Sequence, residues 1–267
     1  RSRRAGPAAA KRAGLDGMER QRDAGSEEQD AREDGQVTPV GVGEHGGAGA
    51  RASDGVARHR DPVVRRHLPG EGLHLAWPRI PAAEQDRVVT RAGETLAALH
   101  ALGHAPLADV LGPGDWREFT ARQRAGAVAR QRARGLPESW AEQIPAFLDA
   151  VPLPAAPGPA LLHTEFMRQH LLVDPGDGHR LTGLFDFEPA MIGDPAYDFV
   201  GVGLFVTRAE PGLLARFMAA YGRTFEPRLL LAYTLLHVYS NLPWYLRELP
   251  APPEPTLDAL AEAWFGH

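Results

Sequence analysis

His163, Glu165, His170 and Asp186 lie close together in the chain and are of the types that move protons and hold cations. A loop glutamate such as Glu165 can orient or deprotonate a hydroxyl. Asp186, with His170, can ligate a divalent ion. Singly, each has a bland reading, since a loop carboxylate is usually just solvated and a lone histidine more often packs than reacts. As a set they supply two of the three requirements of phosphoryl transfer: a group for the attacking hydroxyl and ligands for the metal that bridges the phosphates. The third, a cation beside the phosphates, is scarce, because Lys11 is the only lysine in the chain.

Three short strands are expected to position these residues, at about 160–163, 171–173 and 181–186. Asp174-Pro-Gly-Asp-Gly178 supplies a hairpin turn between the last two. Glu165 and His170 then occupy the loop between the first two strands, while Asp186 closes the third. A hairpin can bring that loop and that strand end to metal-bridging distance. Around this β element the pattern is helical: 82–102 (Val88, Ala92, Leu96, Leu99), 115–134, 138–150, and after Ala196 about 196–206, 211–222, 226–241 and 255–265. Leu68-Pro-Gly-Glu-Gly-Leu73 reads as an entry turn. The expected fold class is α+β, mostly helical, with a small β-hairpin element carrying the catalytic loop. The arginines at 117, 122, 124, 130, 132 and 134 read as a solvated helix face, and His237 as a satisfied core or pocket histidine.

Composition divides the 267 residues in two. Residues 1–67 contain no Phe, Tyr, Trp or Ile and a single leucine, Leu15, whereas all 20 aromatic residues lie from Trp77 onward. So little bulky apolar surface cannot offset the entropy of ordering the backbone, and residues 1–67 are expected to be disordered or non-native. Residues 68–267 are then the folded domain. Of the chain's 29 basic and 34 acidic side chains, 13 and 11 fall in residues 1–67, leaving 16 and 23 for the remainder, a net of −7. An acidic domain suits a cationic small molecule better than nucleic acid. Zero cysteines exclude disulfides and thiolate chemistry and are compatible with a cytoplasmic protein. His237, Asn241 and Pro243 interrupt the apolar run 229–246, so no membrane span is expected.

His163-x-Glu165-x-x-x-x-His170, followed by Gly183-x-x-Asp186-Phe187 and Gly193-Asp194-Pro195-x-x-Asp198, resembles the aminoglycoside phosphotransferase family of protein-kinase-like enzymes. The helix end Leu96-Ala-Ala-Leu-His100 is similar to that family's helix ahead of the catalytic loop. The resemblance covers roughly residues 68–267, the family's C-terminal lobe. It implies an ATP-dependent (or GTP-dependent) kinase acting with Mg2+ on a hydroxyl of a small molecule, an aminoglycoside-type antibiotic among the candidates. Glu165 would be the catalytic base, with His163 bracing the loop. Asp186 and His170 would face the metal, and Gly193, Asp194 and Asp198 would shape and pin the site. The family pattern is His-x-Asp-x-x-x-x-Asn, so this chain carries two departures. Glutamate for aspartate moves the carboxylate by roughly 1 Å, a misplacement that can cost on the order of 100-fold in rate. Histidine for asparagine replaces an oxygen ligand by an imidazole nitrogen, which suits zinc or manganese-like ions better than magnesium.

A kinase-like enzyme also needs a glycine-rich loop and a strand lysine on the phosphates. Gly41-Val-Gly-Glu-His-Gly46 fits G-x-G-x-x-G, but the tract is glycine-rich throughout and no strand-like run flanks it, so it is not read as a phosphate loop. Residues 1–67 are expected to be either an unrelated extension or a nucleotide-lobe coding region read in the wrong frame. Val64-Arg-Arg-His67 encoded GTA-CGT-CGT-CAT would read Tyr-Val-Val one base later. Two further readings stand beside the kinase: a non-catalytic remnant lobe lacking the nucleotide-binding lobe, and a metal-dependent oxygenase using His163, Glu165 and one of His170, His179 or His237. Glu210, Glu226, Glu248 and Glu254 are available to receive an amino sugar.

Overall fold

A computed structural model of the protein describes residues 69–154 and 157–267, all within Arg66–His267, one of the two units into which the chain divides. The Gly41–Gly46 motif, Lys11 and the reading of residues 1–67 lie outside the described residues.

Where the sequence reads an entry turn, a short strand, Glu71–Gly72 (β1), leads into a helical turn, Leu73–Ala76 (α1). Ala82–His100 (α2) follows with Val88, Val89, Ala92, Leu96 and Leu99 on its buried stripe. Trp116–Ala133 (α3) starts at an Asp115 cap, whose side chain accepts from the Glu118 N–H at 2.9 Å. Glu138–Ala141 (α4) and Gln143–Ala150 (α5) come next. Pro145 does not break α5, because it lies in the first turn, where a backbone N–H has no intrahelical acceptor.

Ala160–Leu162 (β2), fully buried, delivers the first loop of interest. Leu171–Asp174 (β3) and Arg180–Leu184 (β4) form the expected hairpin, with Gly178 left-handed (φ 55°) at its turn. The expected third strand ends at Leu184 rather than residue 186. β1 adds to β3, giving the order β1-β3-β4, all antiparallel. Met191–Gly193 (β5), not anticipated from sequence, pairs antiparallel with β2.

Register then fixes which residues meet. Leu171 faces Leu184, so His170, preceding β3, emerges at the same end as Phe185 and Asp186, following β4. Leu162 faces Met191, so His163 and Thr164 leave β2 where Pro189 and Ala190 approach β5.

The remainder is helical. The expected helix 196–206 is a composite: a 3-10 turn (Pro195–Asp198), Phe199–Gly201 (α6) and a π-helix (Val202–Val206). Pro211–Tyr221 (α7) packs along α2, where Gly93 permits the approach, since a Cβ there would lie 2.6 Å from the Phe217 carbonyl. Pro227–Leu236 (α8) stops at Leu236, short of the expected residue 241, and Leu242–Glu248 (α9) is a separate helix. Leu257–Phe265 (α10) lies on α8 and buries Trp264 and Phe265, each worth roughly 1.5–3 kcal/mol or more in apolar burial. Tyr197, Phe199, Phe217 and Tyr233 fill the core between the β2–β5 pair and these helices. Among the described residues, no helix is long and apolar enough to cross a membrane.

Candidate active site

The loop leaving β2 is pinned from below by one carboxylate. Asp198, completely buried, accepts the backbone N–H of His163 at 2.8 Å and that of Thr164 at 2.6 Å, one on each oxygen. His100, at the end of α2, donates Nε2–H to Asp198 at 2.9 Å, and its Nδ1 meets the Tyr221 hydroxyl at 2.8 Å. Such a carboxylate stabilises only while its donors stay in place, because charge-assisted bonds offset its desolvation. Asp194 plays a parallel part for the next turn, taking the Ala196 N–H at 3.0 Å and the Tyr233 hydroxyl at 2.6 Å. Gly193 lies flat under Trp116, where a Cβ would come within 2.1 Å of the ring.

Thr164 turns the loop through a left-handed conformation, φ 66°. Its hydroxyl donates to the Pro189 carbonyl at 3.0 Å, and its own carbonyl faces His237 Nε2 at 3.1 Å. His237 Nδ1 accepts the Tyr239 N–H, so its Nε2 carries the proton and donates to Thr164. Burial pushes the pKa of His237 down to about 4. The next residue after this braced turn is Glu165, 4% exposed.

His170 is oriented by the same loop. Its Nδ1 lies 2.9 Å from the Glu165 carbonyl, and a carbonyl can only accept, so Nδ1 is the protonated nitrogen. Nε2 is thereby aimed at Asp186, 3.3 Å from Oδ2. Asp186 holds a left-handed φ of 71°, and its neighbour Phe185 is tied at both ends: its N–H to the His170 carbonyl at 3.1 Å and its carbonyl to His163 Nε2 at 2.9 Å. Glu165, His170 and Asp186 each present one ligand atom, all within 4.8 Å of one another. An imidazole and two carboxylates on a rigid frame fit a divalent cation, and the donor set is where such an ion would be held.

His163 does not join that trio. It is fully buried, its ring bonded to backbone and lying 4.6 Å from Phe187, and burial lowers its pKa. Its geometry is that of a brace between the two arms, not of a group that touches a reactant. The oxygenase set fails on the same ground: His163 binds the Phe185 carbonyl, His179 pairs with Glu84 at 2.7 Å, and His237 binds Thr164. The described strands form one three-stranded and one two-stranded sheet, not a barrel.

One residue of the site loop carried no usable sequence signal. Arg168 is buried within the loop, its guanidinium 3.6 Å from the centre of the Trp77 ring and its Nε donating at 2.7 Å to the carbonyl of Val206, where the π-helix ends. Arg130 and Arg134 depart from the expected solvated face: both are half-buried, Arg130 on the Gln123 carbonyl at 2.8 Å and Arg134 on that of Ser240. Glu210, Glu226, Glu248 and Glu254 stand exposed at separate element ends and in the linker before α10.

Comparison with known proteins bears on this geometry. Residues 51–233 match the model of the phosphotransferase enzyme family, a match that begins inside the segment set apart by composition and ends within α8. No curated protein matches the chain significantly. Among solved structures, the chain is similar to the GDP and kanamycin complex of APH(2")-IIIa (21% identity, TM-score 0.53), covering 65% of this chain and 59% of that one. It is similar to an aminoglycoside-3'-phosphotransferase of type VIII (23% identity, TM-score 0.50), over 65% of this chain and 66% of that one. A candidate aminoglycoside phosphotransferase of Ralstonia eutropha JMP134 is 15% identical at a TM-score of 0.51, over 74% and 68%. At these identities the likeness is one of fold, and the chain spans less than two thirds of the first two neighbours.

Proposed function

Because the chain belongs to the phosphotransferase enzyme family, we propose that it transfers the terminal phosphoryl group of ATP or GTP to a hydroxyl of a small molecule, with an aminoglycoside-type compound as the first substrate to test. The observation that carries this reading is the convergence of Glu165, His170 and Asp186 within 4.8 Å at the meeting of two loops. In that role Glu165 orients the substrate hydroxyl with one carboxylate oxygen and takes its proton as the oxygen bonds to phosphorus and the bond to the nucleoside diphosphate breaks. Asp186, His170 and the other oxygen of Glu165 would hold the cation of the nucleotide. When bound, such an ion neutralises charge on the phosphate oxygens. The Asp198 carboxylate and His163 keep the two loops in register throughout, and the backbone strain at Asp186 aims its carboxylate at the shared point.

Kanamycin and GDP in one neighbouring structure support the choice of substrate and nucleotide classes to test first. One observation favours a second reading, a lobe that binds without transferring phosphate: Lys11 is the only lysine in the chain. The discriminating experiment incubates the full chain with terminally labelled ATP or GTP and a panel of aminoglycosides. Label in a small-molecule product, lost in Asp186→Ala, is expected. Absence of transfer with both nucleotides at every divalent ion tried would favour the binding lobe.

A further inference from the structure

We infer that Glu165, His170 and Asp186 form a site for a nitrogen-accepting first-row ion of the Mn2+ or Zn2+ class and discriminate against Mg2+. The inference concerns the same residues as the phosphotransfer reading but needs no turnover to be true. It starts from the tautomer of His170. With Nδ1–H donated to the Glu165 carbonyl at 2.9 Å, the neutral ring has its lone pair on Nε2, the nitrogen that faces Asp186 Oδ2 at 3.3 Å. A metal-bound histidine characteristically donates its other ring N–H to a carbonyl or carboxylate, which fixes the ring and raises the basicity of the ligating nitrogen. His170 already has that second partner, and the partner is the backbone of another member of the set.

Burial and rigidity point the same way. Glu165 and His170 are 4% and 5% exposed, so an ion among the three sheds much of its hydration. Mg2+ demands near-octahedral oxygen ligands, gives up water reluctantly and keeps several waters when bound to protein. Mn2+ and Zn2+ accept imidazole, and Zn2+ readily takes few ligands. Bond lengths near 2.1 Å put neighbouring ligand atoms roughly 3.0–3.4 Å apart in cis-octahedral or tetrahedral geometry, so atoms within 4.8 Å need a contraction to share the ion. Little of that contraction has to come from the backbone. Thr164 and Phe185 hold their loops through paired hydrogen bonds, leaving side-chain torsions to adjust. The competing occupant of Nε2 is a proton, which would make His170 and Asp186 a plain ion pair.

Tighter binding of Zn2+ than Mg2+ alone decides nothing, because almost any site with nitrogen donors orders them so. The dependence on His170 decides. The full chain, stripped with a chelator, is dialysed against MnCl2, ZnSO4 or MgCl2, and bound metal is counted by mass spectrometry, with electron paramagnetic resonance following Mn2+. One Mn2+ or Zn2+ per chain is expected. His170→Asn, which returns an oxygen donor, is expected to weaken that ion by at least about 10–100-fold, the loss typical of disturbing even an outer-shell partner, while Mg2+ binding holds or improves. His179→Gln, at the Glu84 pair elsewhere on the fold, is expected to change nothing at this site. An unchanged thermal midpoint in each variant shows that the fold is intact. No stoichiometric Mn2+ or Zn2+, or a preference over Mg2+ that His170→Asn leaves unaltered, would overturn the inference. Phosphoryl transfer can fail with the metal result intact, so the two proposals fall separately.

Discussion

Thr164 and Asp186 both hold left-handed backbone conformations, φ 66° and 71°, that cost a non-glycine residue roughly 1–3 kcal/mol each. The strain at Thr164 is held by its two bonds to Pro189 and His237. His237 therefore couples loop geometry to pH. Its pKa is depressed by burial to about 4 against an ordinary value near 6.5, so the fold favours the neutral ring. The stability this gives is complete above about pH 6.5 and falls away as the pH drops toward 4, by up to roughly 3 kcal/mol. Urea unfolding at pH 7 and pH 4.5 is expected to show that loss, and His237→Gln, which keeps a donor but does not titrate, is expected to flatten it. An equal acid loss in the variant would show that other groups govern the acid limb. The spacing of Glu165, His170 and Asp186 was legible in the sequence because all three flank one hairpin. The two left-handed residues were not, since neither is glycine and nothing local marks them. His237 was legible as a buried histidine, but its partner lies 73 residues away, a distance that only tertiary structure closes.

Among the elements, the β3–β4 hairpin was the most readable, because a strong turn sequence separates two apolar runs and its register dictates that His170 and Asp186 share an end. β5 was not, because Met191-Ile-Gly193 is too short to show alternation and gains its strand character from pairing with β2. The helix after Asp198 was anticipated as continuous. Its π-helical part places the Val206 carbonyl against Arg168, a tertiary demand that periodicity does not express. α8 ends early for a related reason: His237 leaves helical conformation, and its ring meets the Thr164 carbonyl. Gly201 packs directly on backbone, where an added Cβ would sit 2.6 Å from the carbonyl oxygen and 3.1 Å from the nitrogen of Phe166, the residue after Glu165. Backbone cannot give way as a side chain can. Gly201→Ala is expected to cost about 1–3 kcal/mol in denaturant unfolding and to weaken metal binding at Glu165. A wild-type midpoint in that variant would mean that α6 and the loop are free to move apart.

On the scale of the molecule, the mostly helical α+β architecture followed from the sequence, since helical spacing and turn signals agreed over most of residues 82–265. Membership in the phosphotransferase family now rests on residues 51–233. The chain spans 59% and 66% of two solved neighbours. What the described part supplies is a rigid corner, built from β2, the β3–β4 hairpin and the Asp198 anchor, that sets two carboxylates and one imidazole around a common point. Anomalous diffraction from crystals of the full chain grown with Mn2+ and a non-hydrolysable ATP or GTP analogue tests that most directly. A single manganese peak about 2.0–2.3 Å from oxygens of Glu165 and Asp186 and from Nε2 of His170 is the result expected. Manganese found elsewhere, with His170 and Asp186 still paired to each other, would contradict the account.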